Sequence, residues 1–236
     1  MIATVDCRIP EDCLNTLRRF GYRVNTLPPM KGLPSPLASH TDMLIGRLGK
    51  NLVSFADYCD IAPYIFTDIM DGDKSYKIHF TADVPGEEYP RDARLNVLAM
   101  GDILFCKTES VSPYIIELAR GQGYRTVDVK QGYPACTVLK LSEEAAITAD
   151  RGMARVLSSN GIRVYTVENG GIALPPYEYG FIGGAAGVHQ GSVYFLGDVG
   201  THPSAEVIRT ALATEGLNPV SLGRGGLVDL GGILFV

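Results

Sequence analysis

The sequence has 236 residues, of which 46% are hydrophobic and 20% are charged, a balance typical of a globular protein with a sizeable core. The formal net charge of -5 and the dispersed Lys and Arg residues argue against a nucleic-acid-binding surface. No apolar stretch approaches the length of a membrane span, and Asp6 and Arg8 come too early for a signal peptide. We therefore expect a cytoplasmic protein that binds neither nucleic acid nor membrane.

The cysteines form an odd set without the Cys-x-x-Cys spacing of a zinc site or a redox pair. They are Cys7, Cys13, Cys59, Cys106 and Cys136. A disulfide framework is not expected, and no motif indicates a metal or an organic cofactor. The sequence leaves a homo-oligomer open.

One helical unit recurs along the chain, each copy followed by an apolar strand. Four clear copies end at a glycine that can adopt the left-handed cap, namely Gly21, Gly123, Gly161 and Gly216. Most begin with a proline near the first helical position, where its missing N-H is harmless. A fifth, degenerate copy over residues 62–78 predicts a short helix.

A second unit, a strand, a tight turn and another strand, lies between the helices. The predicted turns are Gly49-Lys50, Gly101-Asp102, Glu143-Glu144, Gln190-Gly191 and Gly231-Gly232. Five strand-helix-strand-strand units can bury their apolar faces by closing around an axis. The sequence thus predicts a single domain over residues 1–236 with a five-fold pseudosymmetric α/β propeller. An open α/β sheet with hairpin insertions is the alternative.

In such a propeller, the ends of the inner strands converge on the axis. Counting back from each turn places His40 and Asp92 about nine residues before it, and Asp42 and Cys136 about seven before it. The fourth unit contributes Gly183 and Gly184, whose lack of side chains leaves room for a ligand or for close backbone approach. Asp229 belongs to the fifth unit.

This set favours nucleophilic chemistry at Cys136. His40 could move protons and lower the pKa of the thiol, and the carboxylates of Asp42, Asp92 or Asp229 would favour a cationic substrate. Arg91 could pair with Asp92 or hold a substrate carboxylate. Each residue also has a plainer explanation, since a free cysteine is among the most buried residue types and His40 could satisfy backbone groups.

Several stretches carry a family resemblance. "SHTDM", "GYPACT", "ITADRGMARVLSSNGIRV" and "PPYEYGFIGGAAG" resemble an uncharacterised bacterial group with the pentein fold, carried as a domain of unknown function. Penteins are the five-fold α/β propellers of the guanidine-modifying enzymes. The resemblance implies a cysteine nucleophile at Cys136, a general acid/base at His40 and guanidinium-binding carboxylates at Asp42 and Asp92. In those enzymes the cysteine is usually near the C-terminus, whereas Cys136 is mid-chain.

Two functions follow. The first is a cysteine-dependent hydrolase or amidino-group transferase acting on a guanidino or amidino small molecule, as in deiminases, dimethylarginine hydrolases and amidinotransferases. The second is a non-catalytic pentein that binds a protein or ligand, resembling the ribosome-associated initiation factors that use this fold. Proximity of Cys136 and His40 favours the first, and an unreactive thiol with an exposed patch away from the axis favours the second.

Overall fold

A computed structural model describes residues 1–236. The chain forms 17 strands. They are β1 (Ile2–Asp6), β2 (Arg23–Leu27), β3 (Ile45–Leu48), β4 (Asn51–Phe55), β5 (Lys77–Thr81), β6 (Leu98–Met100), β7 (Ile103–Cys106), β8 (Arg125–Asp128), β9 (Val138–Lys140), β10 (Ala145–Thr148), β11 (Arg163–Thr166), β12 (Ile172–Ala173), β13 (Ala186–His189), β14 (Ser192–Phe195), β15 (Asn218–Ser221), β16 (Leu227–Val228) and β17 (Leu234–Phe235).

Eight α-helices connect these strands, together with a 3-10 turn at Val199–Thr201. The helices are α1 (Glu11–Arg19), α2 (Thr41–Leu44), α3 (Ala56–Ile61), α4 (Pro63–Gly72), α5 (Pro113–Gly121), α6 (Pro134–Thr137), α7 (Arg151–Ser159) and α8 (Ala205–Thr214). None is long and apolar enough to cross a membrane. The predicted glycine caps are confirmed, with φ of 84° at Gly21, Gly123 and Gly161 and 69° at Gly216.

Five three-stranded sheets share one topology. Their strand orders are β17-β1-β2, β3-β4-β5, β6-β7-β8, β9-β10-β11 and β13-β14-β15. In each sheet the first two strands pair antiparallel, and the third pairs in parallel after a helical crossover. A sixth, two-stranded sheet joins β12 to β16. The five predicted units are therefore present as a mixed α/β fold.

Two sequence predictions about the repeated units are wrong. Gly231-Gly232 is not a hairpin turn, because β17 pairs with the N-terminal strand β1 and no strand precedes that turn in the same sheet. The fifth sheet is thus assembled from the two ends of the chain. The helical segment of the degenerate copy is also not short: α4 has 10 residues and follows α3 directly.

The first strand of every three-stranded sheet borders one elongated cavity of ≈ 520 Å³, which we call the axial cavity. Ile45, Leu98, Leu139, Ala186 and Leu234 represent β3, β6, β9, β13 and β17 in its wall. The hydrophobic clusters lie between the sheets and the helices that cover them. Asp42, Ala135, Gly183 and Gly232, which precede β3, β9, β13 and β17, line the same cavity.

Candidate functional site

Cys136 lies in a one-turn helix rather than on an inner strand, which corrects the sequence prediction. Pro134 begins α6, where a missing N-H costs no hydrogen bond, and the Thr137 N-H closes the turn on the Tyr133 carbonyl. The strand β9 starts only at Val138. His40 and Asp42 occupy the matching place in another unit, where His40 is the N-cap of α2 immediately before β3.

The Cys136 thiol contacts two side chains from different units. Its Sγ donates to Oδ2 of Asp42 at 2.5 Å and accepts from Nδ2 of Asn96 at 3.3 Å. Burial and the neighbouring Asp42 carboxylate raise the pKa of Cys136 well above its usual range. The proton therefore resides on sulfur in the unliganded site, and the thiol is not activated by His40.

Two buried carboxyl groups flank this thiol. Burial raises the pKa of Asp42 to about 6, and the hydrogen bond from Cys136 opposes that rise. Burial raises the pKa of Asp229 to about 7, with a further contribution from the Asp42 charge. Asp229 is held by the N-H groups of Phe181 at 2.8 Å and Gly231 at 3.0 Å. Both groups can therefore change protonation near neutral pH.

His40 is fully buried between two carboxyl groups. Its Nε2 lies 4.0 Å from Oδ2 of Asp6, and its Nδ1 lies 3.9 Å from Oδ1 of Asp229, so neither nitrogen makes a hydrogen bond. Burial lowers the pKa of His40 to about 4, although Asp6 raises it. The positive charge of Arg8, which pairs with Asp6, lowers the pKa of His40 as well. His40 is consequently a neutral imidazole.

These residues meet at a second cavity of ≈ 330 Å³, which we call the thiol cavity. Cys136, His40 and Asp229 line it, while Asp42 lines the adjoining axial cavity and reaches the thiol from that side. Tyr133 lines it as well. The structure thus places three of the predicted residues, Cys136, His40 and Asp229, on one cavity and a fourth, Asp42, in hydrogen-bond contact with the thiol.

Asp92 and Arg91 do not line the thiol cavity. Asp92 is buried outside the thiol cavity, and its Oδ2 accepts from the Tyr133 hydroxyl at 2.7 Å, so it can affect the site only through Tyr133. Arg91 is exposed and lines neither cavity. The structure does not bring Arg91 to the thiol.

Gly183 and Gly184 serve close packing behind the site. A Cβ on Gly183 would lie 2.6 Å or less from the carbonyl oxygens of Ala135, Cys136 and Val138. A Cβ on Gly184 would lie 1.9 Å from Oδ1 of Asp229, and the Gly184 N-H donates to the Cys136 carbonyl at 3.0 Å. Only glycine permits this approach of the β13 unit to the α6 turn.

A family model described as "Family of unknown function (DUF6873)" matches residues 4–234. The chain belongs to the DUF6873 family. No curated protein sequence matches it. The family match spans all five sheets, so the site just described lies wholly inside it.

Solved structures show that this DUF6873 chain has the pentein fold. It superposes on DDAH from Pseudomonas aeruginosa, a mutant complexed with citrulline, with a TM-score of 0.58, 11% identity, and coverage of 95% of this chain and 94% of that chain. SxtG, an amidinotransferase from Microseira wollei in the saxitoxin pathway, gives a TM-score of 0.51, 12% identity and coverage of 93% and 87%. C. jejuni agmatine deiminase gives a TM-score of 0.52 and 8% identity, with coverage of 94% of this chain and 87% of that chain.

Two residues at the site, Asn96 and Asp6, are not among the residues predicted from the sequence. Asn96 precedes β6 by two positions, as Cys136 precedes β9, and its Oδ1 also accepts from the Ala135 N-H at 2.8 Å. Alignment of the repeats would have placed it beside the thiol. Asp6 ends the buried strand β1, and a carboxylate in an apolar strand followed by Arg8 two residues later is the signal that could have found it.

Proposed function

We propose that this DUF6873 protein is a cysteine-dependent enzyme that cleaves or transfers the C-N bond of a guanidinium or amidinium compound in the thiol cavity. The observation that carries this proposal is that Cys136, His40 and Asp229 line that cavity while Asp42 bonds to the Cys136 thiol. The pentein neighbours named as an amidinotransferase and a deiminase support the choice of substrate class.

The proposal includes closure of the five sheets into a propeller. Pairing of β17 with β1 supports closure, since it joins the two ends of the chain. The axial cavity supports it as well, because all five first strands contribute to its wall. Closure would fix the α2 and α6 turns relative to each other, although they are distant in sequence.

The first chemical step starts from a protonated thiol. A guanidinium ion beside Asp42 and Asp229 would add a positive charge next to Cys136 and lower the pKa of the thiol. The thiol proton passes to Oδ2 of Asp42 as sulfur attacks the amidino carbon, and the C=N electron pair moves to nitrogen. The C-N bond then breaks, and the leaving amine departs with one proton from Asp42.

The second step releases the product. Neutral His40 accepts a proton from water as the water oxygen attacks the carbon of the thiouronium intermediate. The S-C bond breaks, the electron pair returns to sulfur, His40 returns its proton to the thiolate, and the protonated urea loses the second proton of the water to solvent. Water thus supplies the oxygen of a urea product, and an amine in place of water would give amidino transfer.

A matched pair of electrophiles tests this function. 2-Chloroacetamidine carries a cationic amidinium group, whereas 2-chloroacetamide is neutral and of similar size. We expect mass spectrometry to show that the amidine alkylates Cys136 at least about tenfold faster than the amide, while the exposed Cys7 gives the ratio of an unassisted thiol. Asp42→Asn should reduce the ratio at Cys136 and leave that at Cys7 unchanged.

If the amidine-to-amide ratio of alkylation rates is the same at Cys136 and Cys7, the enzymatic proposal is contradicted and a non-catalytic binding protein is favoured. A ratio that is high in the wild type and unaffected by Asp42→Asn would leave the cavity cation-selective but remove Asp42 as the proton acceptor.

A further inference from the structure

The thiol cavity has aromatic walls and no positively charged side chain. Its outer part is formed by Tyr133 and by the segment between β12 and β13, which contributes Tyr177, Glu178, Tyr179 and Phe181. No Lys or Arg is among its lining residues. Aromatic faces attract cations, and the two ionisable carboxyl groups that line this cavity, Glu178 and Asp229, repel anions.

A buried side chain without a hydrogen-bond partner, His40, lines this cavity. His40 has no exposed surface, and neither of its ring nitrogens makes a hydrogen bond. An unpaired buried polar group costs free energy unless something else supplies its hydrogen bond. A ligand N-H group in the cavity would supply one, which agrees with a guanidinium at this end.

No arginine close in sequence to a site residue lines the thiol cavity, and two of them, Arg8 and Arg94, pair with carboxylates. Arg8 pairs with Asp6, and Arg94 pairs with Asp83 at 2.6 Å and also binds the Ser110 carbonyl. Arg91 is exposed away from the cavity. A carboxylate on the ligand would therefore find no cationic partner in the thiol cavity.

Glu178 is the free charge of the outer wall. Glu178 lines the thiol cavity, but it is exposed, and its side chain makes no hydrogen bond or ion pair. Tyr177 beside it is 47% exposed, so this wall is open to solvent. A ligand tail that extends from the thiol outwards consequently meets aromatic rings first and a carboxylate at the rim.

We infer that the thiol cavity selects a guanidinium or amidinium compound whose tail carries no carboxylate, so that a decarboxylated, aminoalkyl type of guanidine binds and an α-amino acid does not. The inference rests on the proposed function, because it takes the guanidinium end to lie at Cys136. The tail lies against Tyr177, Tyr179 and Phe181, and a terminal ammonium group pairs with Glu178.

Protection of Cys136 from 2-chloroacetamidine tests the tail separately from the chemistry. Agmatine, L-argininamide and L-arginine share one guanidinium and one chain length, and only arginine has a carboxylate. We expect agmatine and argininamide to slow alkylation of Cys136 at concentrations at least about tenfold lower than arginine requires, because like charges would face each other in the arginine complex. Alkylation of Cys7 in the same samples corrects for direct effects on the reagent.

A charge reversal at the rim sharpens the test. Arginine should protect Cys136 only at a higher concentration than agmatine, and Glu178→Arg should reduce the ratio of these two concentrations by at least about threefold. The new arginine would repel the terminal ammonium of agmatine and attract the carboxylate of arginine. Glu144→Arg makes the same change in net charge on the exposed turn between β9 and β10 and should leave the ratio unchanged. Glu178 is exposed, so its replacement should not impair folding.

The outcomes separate the two proposals. Equal protection of Cys136 by arginine and agmatine would overturn the inference that the ligand tail carries no carboxylate. Protection by none of the three compounds, with the amidine preference of Cys136 intact, would overturn it as well. Both results would leave the proposed function standing. Loss of the amidine preference itself would overturn both. An unchanged ratio in Glu178→Arg would overturn the role of Glu178 at the rim.

Discussion

Replacing Asp42 by asparagine should change how the stability of the protein depends on pH. Burial raises the pKa of this carboxyl from 3.8 to about 6, which corresponds to about 3 kcal/mol at 1.36 kcal/mol per pKa unit. Because the folded pKa exceeds the unfolded value, the wild type loses stability as the pH rises from about 4 through about 6, and the loss is complete above about pH 7. Asp42→Asn removes this loss.

The magnitude follows from the contacts of Asp42. The carbonyl oxygen of an asparagine can still accept the hydrogen bond from the Cys136 thiol. The NH₂ group of the asparagine would take the place of Oδ1, an atom that has no hydrogen-bond partner. A buried, unpaired NH₂ group costs about 1 to 3 kcal/mol at every pH. The variant should therefore be no more stable than the wild type near pH 4. Relative to the wild type it should gain about 2 to 3 kcal/mol between about pH 4 and about pH 8.

Urea unfolding followed by far-UV circular dichroism across this pH range measures the effect, since the chain has no tryptophan. Asp102→Asn, on the exposed turn between β6 and β7, removes one carboxylate of the same kind and is the matched control. If the free-energy difference for Asp42→Asn is flat with pH, or follows that of Asp102→Asn, then Asp42 is not a buried carboxylate held at a cost and the reasoning is refuted.

Three further predictions concern the same site. Without a cationic ligand, iodoacetamide should alkylate Cys136 at least about tenfold more slowly than Cys7 near neutral pH, because burial raises the pKa of Cys136; comparable rates by peptide mass spectrometry would contradict this. Cys136→Ala should destabilise the protein by about 1 to 3 kcal/mol more than Cys136→Ser, because only serine keeps a donor for Asp42; equal urea midpoints would argue against that hydrogen bond. Gly184→Ala should lower the free energy of unfolding by about 1 to 3 kcal/mol or more and abolish the amidine preference, because its Cβ would lie 1.9 Å from a buried carboxylate oxygen, whereas Gly225→Ala meets nothing within 4 Å and should be neutral.

The repeating part of the fold is encoded locally and could be predicted from the sequence. Four of the eight helices, α1, α5, α7 and α8, end where a glycine takes positive φ, and the turns at Gly49-Lys50, Gly101-Asp102 and Gln190-Gly191 connect paired strands as expected. The fifth sheet could not be predicted in this way. Its first two strands come from opposite ends of the chain, and no local pattern near Gly231-Gly232 reports a partner more than 200 residues away.

The candidate site could be predicted in its residue types but not in its contacts. Counting from the turns selected His40, Asp42 and Cys136, of which His40 and Cys136 line the thiol cavity and Asp42 bonds to the thiol. It could not reveal that Asp42, rather than His40, bonds to the thiol. That choice depends on the α2 and α6 turns, each only four residues long, which displace the side chains from the register of the strands.

The energetics of the site favour an active role over a purely structural one. A core that served only stability would place apolar side chains where this fold keeps His40 without a hydrogen bond and two carboxyl groups with raised pKa values. Such groups are stable together only because backbone N-H groups hold Asp229 and a thiol donates to Asp42. Under the proposed function, a guanidinium in the thiol cavity would lower the pKa of the Cys136 thiol, so that its proton can pass to Oδ2 of Asp42. Under the proposed function, the Asp42 carboxylate that helps to keep the thiol protonated is also the group that accepts its proton when a guanidinium binds.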